Sequence, residues 1–182
     1  MNLKPILVGG ALLLTSLSQA HAVVLETSNF IGAPTNFNGF EGVGTTGTLS
    51  NSGKTYTEGG ISITASTGTA PIGAFPYWNG VGSYQWYGGT TTYTDIKLQS
   101  GGDFQSLQFL ASSGYANPTT LAYEVLNHGA VVLTGTVANP AYCCGTSAGF
   151  AYFGFSGGGF DEVRLVDGLV TNFSLRIHPK TV

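Results

Sequence analysis

From Val23 to the C-terminus, apolar residues come in short runs, alternating with polar residues or continuously β-branched and aromatic, and clusters of Gly, Asn, Ser and Pro separate the runs. No stretch of about eleven residues in this part repeats apolar positions at i, i+3, i+4 and i+7, the spacing of an amphipathic helix. The pattern predicts strands at Val23 to Glu26, Phe37 to Glu41, Thr55 to Glu58, Ile61 to Ala65, Tyr84 to Tyr87 and Thr94 to Leu98. It predicts further strands at Phe104 to Ala111, Thr120 to Asn127, Val131 to Val137, Phe150 to Phe155, Glu162 to Val166 and Asn172 to His178. Many short strands joined by Gly- and Pro-rich turns bury their apolar faces as packed sheets, so the expected fold is all-β, a two-sheet antiparallel jelly-roll-like β-sandwich.

The clearest local signal is the run from Leu121 to Leu126, then Asn127-His128-Gly129, then the run from Val131 to Val137. Asn and Gly tolerate positive φ, so this reads as a β-hairpin with its tip at Asn127 to Gly129. The segment from Thr67 to Thr92 is the least regular and is expected to be a long functional or ordering loop, with a short strand around Trp86.

The N-terminus follows a different rule. Lys4 precedes the apolar run Ile6 to Leu14, and a polar stretch closes in Ala20-His21-Ala22. This is the pattern of a secretory signal peptide, residues 1–22, with cleavage expected after Ala22. Its apolar run is well short of the ~20 residues of a membrane-spanning helix, so no membrane insertion is expected after cleavage. Residues 23–182 then form a single domain, a length that buries roughly two thirds of its unfolded surface.

Charge narrows the partners. Charged residues make up only 8% of the chain, against about a quarter in typical proteins. Without Lys4, five basic residues stand against nine acidic ones, a net charge of −4, and no Lys/Arg cluster exists. Binding a phosphate backbone needs such clusters, so nucleic acid is not an expected partner.

The densest chemical feature is Phe75-Pro76-Tyr77-Trp78-Asn79, followed by Tyr84-Gln85-Trp86-Tyr87 and Tyr93, which gathers both tryptophans. Sugars lay flat C–H faces against aromatic rings while amides take their hydroxyls. Trp78, Trp86, Tyr84 and Tyr87, with Asn79 and Gln85, are therefore the candidate ligand-binding residues. Core packing is the competing reading, since aromatic rings also dominate sandwich interiors, and alternation sends Tyr84 and Trp86 to one face and Gln85 and Tyr87 to the other.

Cys143 and Cys144 are the only cysteines, and in an oxidising compartment three fates are open to them: a strained vicinal disulfide, pairing with another chain, or two thiols. Gly145-Thr146-Ser147-Ala148-Gly149 matches the G-x-S-x-G of a nucleophile elbow, with Asp161 or Asp167 and then His178 in hydrolase order. The elbow needs a strand before it and a helix after it. Pro140 precedes this motif and a strand-like run follows, so no catalytic residue is assigned. No cofactor is expected beyond calcium, for which Glu41 and Asp161 are the candidate ligands, joined by backbone carbonyls. Asp95, Asp103 and Glu162, which follows Asp161, are further carboxylates that could join such a site, and no spaced D-x-D-x-D-G loop is present.

Four strings belong together: Phe37-Asn38-Gly39-Phe40-Glu41-Gly42, Tyr56-Thr57-Glu58-Gly59-Gly60-Ile61-Ser62-Ile63, Phe104-Gln105-Ser106-Leu107-Gln108-Phe109 and Gly159-Phe160-Asp161-Glu162-Val163-Arg164-Leu165. With them the chain resembles the exported β-sandwich proteins of Gram-negative bacteria that often carry a PEP-CTERM sorting tail, whose domains are of jelly-roll or galactose-binding-like kind. The resemblance implies a cell-surface or matrix role and supplies no catalytic residues. The chain departs from it at Leu175 to Val182, where the Pro-Glu-Pro motif, apolar helix and basic tail are missing, so sorting by that route is not expected. The expected function is a secreted, non-enzymatic matrix or cell-surface binding module for extracellular polysaccharide. Two alternatives stand beside it. One is a self-assembling subunit of an extracellular filament or matrix, in which Val23-Val24-Leu25 adds to the sheet edge of another copy. The other is a secreted hydrolase.

Overall fold

A computed structural model describes residues 22–40, 42, 48–50, 55–67, 71–73, 85–87, 93–113, 117–141, 149–166 and 174–181; for 48–50, 71–73, 85, 87 and 174–181 it describes the backbone only. The described residues form β1 (Val24–Glu26), β2 (Thr48–Ser50), β3 (Thr55–Glu58), β4 (Ile61–Ala65), β5 (Pro71–Gly73), β6 (Gln85–Tyr87) and β7 (Tyr93–Leu98). They continue with β8 (Phe104–Ser112), β9 (Thr119–Asn127), β10 (Ala130–Asn139), β11 (Ala151–Phe160), β12 (Glu162–Val166) and β13 (Ser174–Thr181).

Pairing begins at the β9·β10 hairpin and nests outward: β8 pairs β11, β7 pairs β12 and β6 pairs β13, all antiparallel. Rolling this long ladder brings β12 beside β9 and β13 beside β8. One sheet therefore contains β11-β8-β13-β6 in that order, and the other contains β10-β9-β12-β7. A nested antiparallel ladder wound into two facing sheets is a jelly roll. The remaining strands extend its edges, giving a seven-stranded sheet β1-β11-β8-β13-β6-β5-β2 and a six-stranded sheet β10-β9-β12-β7-β4-β3.

Alternation sends one face of each strand into the space between the sheets. Ile61, Ile63 and Ala65 of β4, Ile96 of β7 and Val163 and Leu165 of β12 line it from the six-stranded side. Phe104, Phe109, Phe153, Phe155 and Phe160 line it from the other. Phe155 lies 4.9 Å from Tyr123 of the opposite sheet, and 6.3 Å from Phe109 and from Phe160, in tilted and edge-on geometries. Such pairs add to the burial term.

Several boundaries differ from the expected ones, each for a local reason. Of the strand expected at Phe37 to Glu41, the described residues Phe37 to Phe40 form none. Asn38 makes a single bridge, its Oδ1 accepts the amide of Phe40 (3.2 Å), and Phe40 turns to φ 61° with its ring fully buried. This Asx-type turn diverts the chain before a ladder can form; Glu41 lies outside the described residues. The strand expected at Phe150 to Phe155 continues as β11 through Gly157, Gly158 and Gly159, all at positive φ, and resumes pairing at Phe160 opposite Phe104. Glycine makes that bulge sterically cheap. Short β2 and β5 carry no alternation long enough to read. The hairpin tip matches expectation, with His128 (φ 51°) and Gly129 (φ 81°) as the two turn residues, the backbone of a type I′ turn. β1, the strand expected to reach a neighbouring copy, pairs on one side with β11 of its own chain and lies at the edge of its sheet.

One buried polar side chain fixes the approach to this core. Gln108 is fully buried; its Oε1 accepts the amides of Phe30 (2.7 Å) and Ile31 (3.0 Å), and its Nε2 donates to Asn29 Oδ1 (3.0 Å). It thereby ties the segment after β1 to the central strand β8.

Phe155→Ala is expected to lower the unfolding free energy by about 3–5 kcal/mol, through lost burial and the cavity left among the surrounding rings. Urea denaturation of the two chains measures it.

Candidate binding site

The outward face of the six-stranded sheet carries a polar ladder. On β7, Tyr93, Asp95 and Lys97 alternate with buried Thr94, Ile96 and Leu98; on β12, Glu162 and Arg164 alternate with buried Val163 and Leu165. Register places Lys97 opposite Glu162 and Asp95 opposite Arg164, and Arg164 in turn opposite Glu124 of β9. Lys97 Nζ lies 3.1 Å from Asp95 Oδ2 and 3.0 Å from Glu162 Oε2. Arg164 Nε donates to Glu162 Oε1, its guanidinium reaches Glu124 (3.8 Å), and it sits 5.1 Å from the centroid of the Tyr93 ring. Hydroxyl pairs continue the ladder over the far strands, Thr55 with Thr64 (3.0 Å) and Thr57 with Ser62 (2.9 Å).

The two carboxylates in this network differ. Burial pushes both upward. At Glu162 the Lys97 hydrogen bond and charge, reinforced by Arg164, more than offset burial and hold the group below the usual glutamate range. At Asp95 burial wins over Lys97, the Glu162 charge adds to it, and the group stands above the usual aspartate range. Asp95 Oδ1 is buried with no hydrogen-bond partner, which accounts for the weaker stabilisation of its charge. The Lys97 ammonium fills the space between the carboxylates, so the pair is built as a salt bridge. A glycosidase pair instead leaves that space to substrate or water.

At the end of the same sheet the strand connections enclose a cleft of about 830 Å³, lined by Asn36, Gly60, Leu98, Gln99, Ser100, Gly102, Asp103 and His128. Its walls are fixed by backbone bonds: Gln99 N–H donates to Gly60 O (2.8 Å) and Gly101 N–H to Leu98 O (3.0 Å), while Asn36 Nδ2 donates to Gly59 O (2.7 Å). Asp161 Oδ1 accepts the amide of His128 (3.0 Å), and the His128 ring donates from Nδ1 to Asn127 Oδ1 (2.5 Å). In the neutral ring this leaves Nε2 as an acceptor. The lining offers carboxamide, hydroxyl, carboxylate and imidazole groups with one apolar side chain, Leu98.

The structure redistributes the residues expected from sequence. Trp86 is fully buried; its ring lies 6.4 Å from Phe40 and its Nε1 donates to Thr94 Oγ1 (3.2 Å) on the facing sheet. It belongs to the core and presents no face to a ligand, the outcome that alternation allowed. Gln85 and Tyr87 lie on the backbone of β6, while Trp78, Asn79 and Tyr84 lie outside the described residues. So do Cys143, Cys144, Ser147 and Glu41. Asp161, expected as a calcium ligand, is engaged in holding the His128 turn, and among the described residues no three His, Cys, Asp or Glu side chains gather as a metal site. Sequence reasoning named Asp95 and Glu162 only as carboxylates and missed their cationic partners Lys97 and Arg164. Their signal was present as Asp95-Ile96-Lys97 and Glu162-Val163-Arg164, opposite charges at the period of a strand. Asn36, Gln99 and Ser100 gave no signal, since only the fold brings them together.

The fold and site define a jelly-roll β-sandwich with a polar cleft at one end. Compared with protein-family models and with curated proteins, the chain matches none.

Glu162→Gln is expected to destabilise the protein by about 1–3 kcal/mol at pH 7, because it leaves Lys97 and Arg164 short of a charged acceptor. Since the folded-state affinity of Glu162 for a proton is lowered, its contribution is complete above the ordinary glutamate range and disappears as pH falls through its folded value. The difference between wild type and variant should therefore close toward acid pH in thermal melts. Asp95→Asn should cost less at pH 7, since the raised Asp95 disfavours its own ionised form in the folded state.

Proposed function

We propose that this chain is an exported, non-enzymatic binding module of the extracellular matrix or cell surface, with polysaccharide as its ligand. The observation that carries the reading is the cleft at the end of the six-stranded sheet. Its polar groups come from three separate connections and are of the kinds that take sugar hydroxyls: Asn36, Gln99, Ser100, Asp103 and His128. Binding sites of this sort place a few polar groups on a rigid frame, and the frame here is the ends of β3, β4, β7, β8, β9 and β10.

Two features of the sequence support the same reading. The signal-peptide pattern of residues 1–22 directs the chain out of the cytoplasm, and the short motifs it shares with PEP-CTERM-type exported proteins associate it with surfaces and matrices. In this proposal the cleft supplies the hydrogen bonds that orient the sugar.

Titration calorimetry against a panel of neutral and acidic polysaccharides tests the reading. Asp103→Ala and Gln99→Ala are each expected to weaken binding by about tenfold, the loss of one good hydrogen bond to a charged or amide group. His128→Gly should weaken binding while preserving the turn, because glycine favours the positive φ at that position. Binding that none of the three changes, or no binding across the panel, would contradict the proposal.

A further inference from the structure

We propose that β10 is a self-complementary edge through which two copies of this chain pair, joining their six-stranded sheets into one continuous sheet across a two-fold axis. Among the described residues β10 is the last strand of its sheet, and its ladder runs to β9 alone. It is ten residues long, Ala130–Asn139, and holds neither a charged residue nor a proline. Sheet edges in proteins that stay apart are short or carry charge, and the other edges with described side chains follow that rule. β3, at the far side of the same sheet, has four residues and ends in Glu58. β1 has three residues and ends in Glu26, whose Oε1 accepts from Ser156 (2.8 Å). On β10, by contrast, Val131 and Val132 are 53% and 47% exposed.

The symmetry of the strand selects a second copy as the occupant. An antiparallel pairing centred on Gly135 sets Leu133 opposite Val137 of the second copy and Thr134 opposite Thr136. Leu133 and Val137 already pack against the core from the inner face, so each would extend the other copy's apolar layer across the seam, while the threonines meet on the outer face. The ladder with β9 alternates, and from the hairpin turn through the irregularity at Val131 to Leu133 it leaves the backbone groups of Thr134 and Thr136 directed outward. Those are the groups this register uses. The contact is the same patch on both copies, so it closes at a dimer.

Sedimentation equilibrium of the purified chain, from micromolar to near-millimolar concentration and with and without reductant, tests the proposal. A reversible dimer that survives reduction is the expected result. Thr136→Pro removes an outward amide, and V132K/A138K places like charges opposite each other across the seam. Each should raise the dissociation constant at least about tenfold with an unchanged far-UV circular dichroism spectrum. If Thr136→Pro unfolds, V132K/A138K alone decides. A wild-type monomer at every concentration, a dimer lost on reduction, or a dimer that V132K/A138K leaves unchanged would overturn it.

Discussion

The contact between Phe155 and Tyr123, 4.9 Å apart across the gap between the sheets, is the junction on which the architecture depends. Phe155 lies on β11 and Tyr123 on β9, strands that the rolled ladder places in opposite layers. Around Phe155 stand Phe109, Phe153 and Phe160, so one ring ties two neighbouring strands of its own sheet to the hairpin strand of the other. A second junction, Trp86 to Thr94, closes the sandwich where β6 faces β7. With so few charges on the chain, the burial of these rings is the main favourable term holding the layers together. The nested pairing also makes most of the contacts long-range, since β6 meets β13 only after eighty or more residues of chain have been laid down between them. Topologies of that kind fold slowly for their size.

Charge is scarce, and where it falls is informative. Five of the chain's fifteen charged residues, Asp95, Lys97, Glu124, Glu162 and Arg164, converge on one patch of the six-stranded sheet. The patch lies on the central strands β7, β12 and β9, where register fixes opposite charges against each other, and it leads to the polar cleft through the adjoining positions Leu98 and Asp161. The network and the cleft thus adjoin along the same strands, and the cleft is where hydrogen-bonding groups line open space.

Much of this is legible in the sequence. Period-two alternation located β3, β4 and β12 to the residue and the hairpin tip to its turn, because those strands have one wet and one dry face. Phe37 to Glu41 alternates equally well but is diverted by the Asn38 side chain, a local hydrogen bond that alternation cannot register. Trp86 illustrates the limit for function: its composition suited a stacking platform, and only the facing sheet shows that its ring and its N–H are both spent inside. The cleft was invisible because its residues come from connections far apart in sequence, each polar and unremarkable alone.

Aromatic and backbone nuclear Overhauser effects in the labelled protein address the central claim, that the chain is a nested ladder rolled around the Phe155 junction. Contacts between the Tyr123 and Phe155 rings, together with cross-strand contacts from Val163 to both Ile96 and Val125, are the expected result. A spectrum in which β12 instead pairs with β11 as a simple hairpin, with Tyr123 remote from Phe155, would contradict the account.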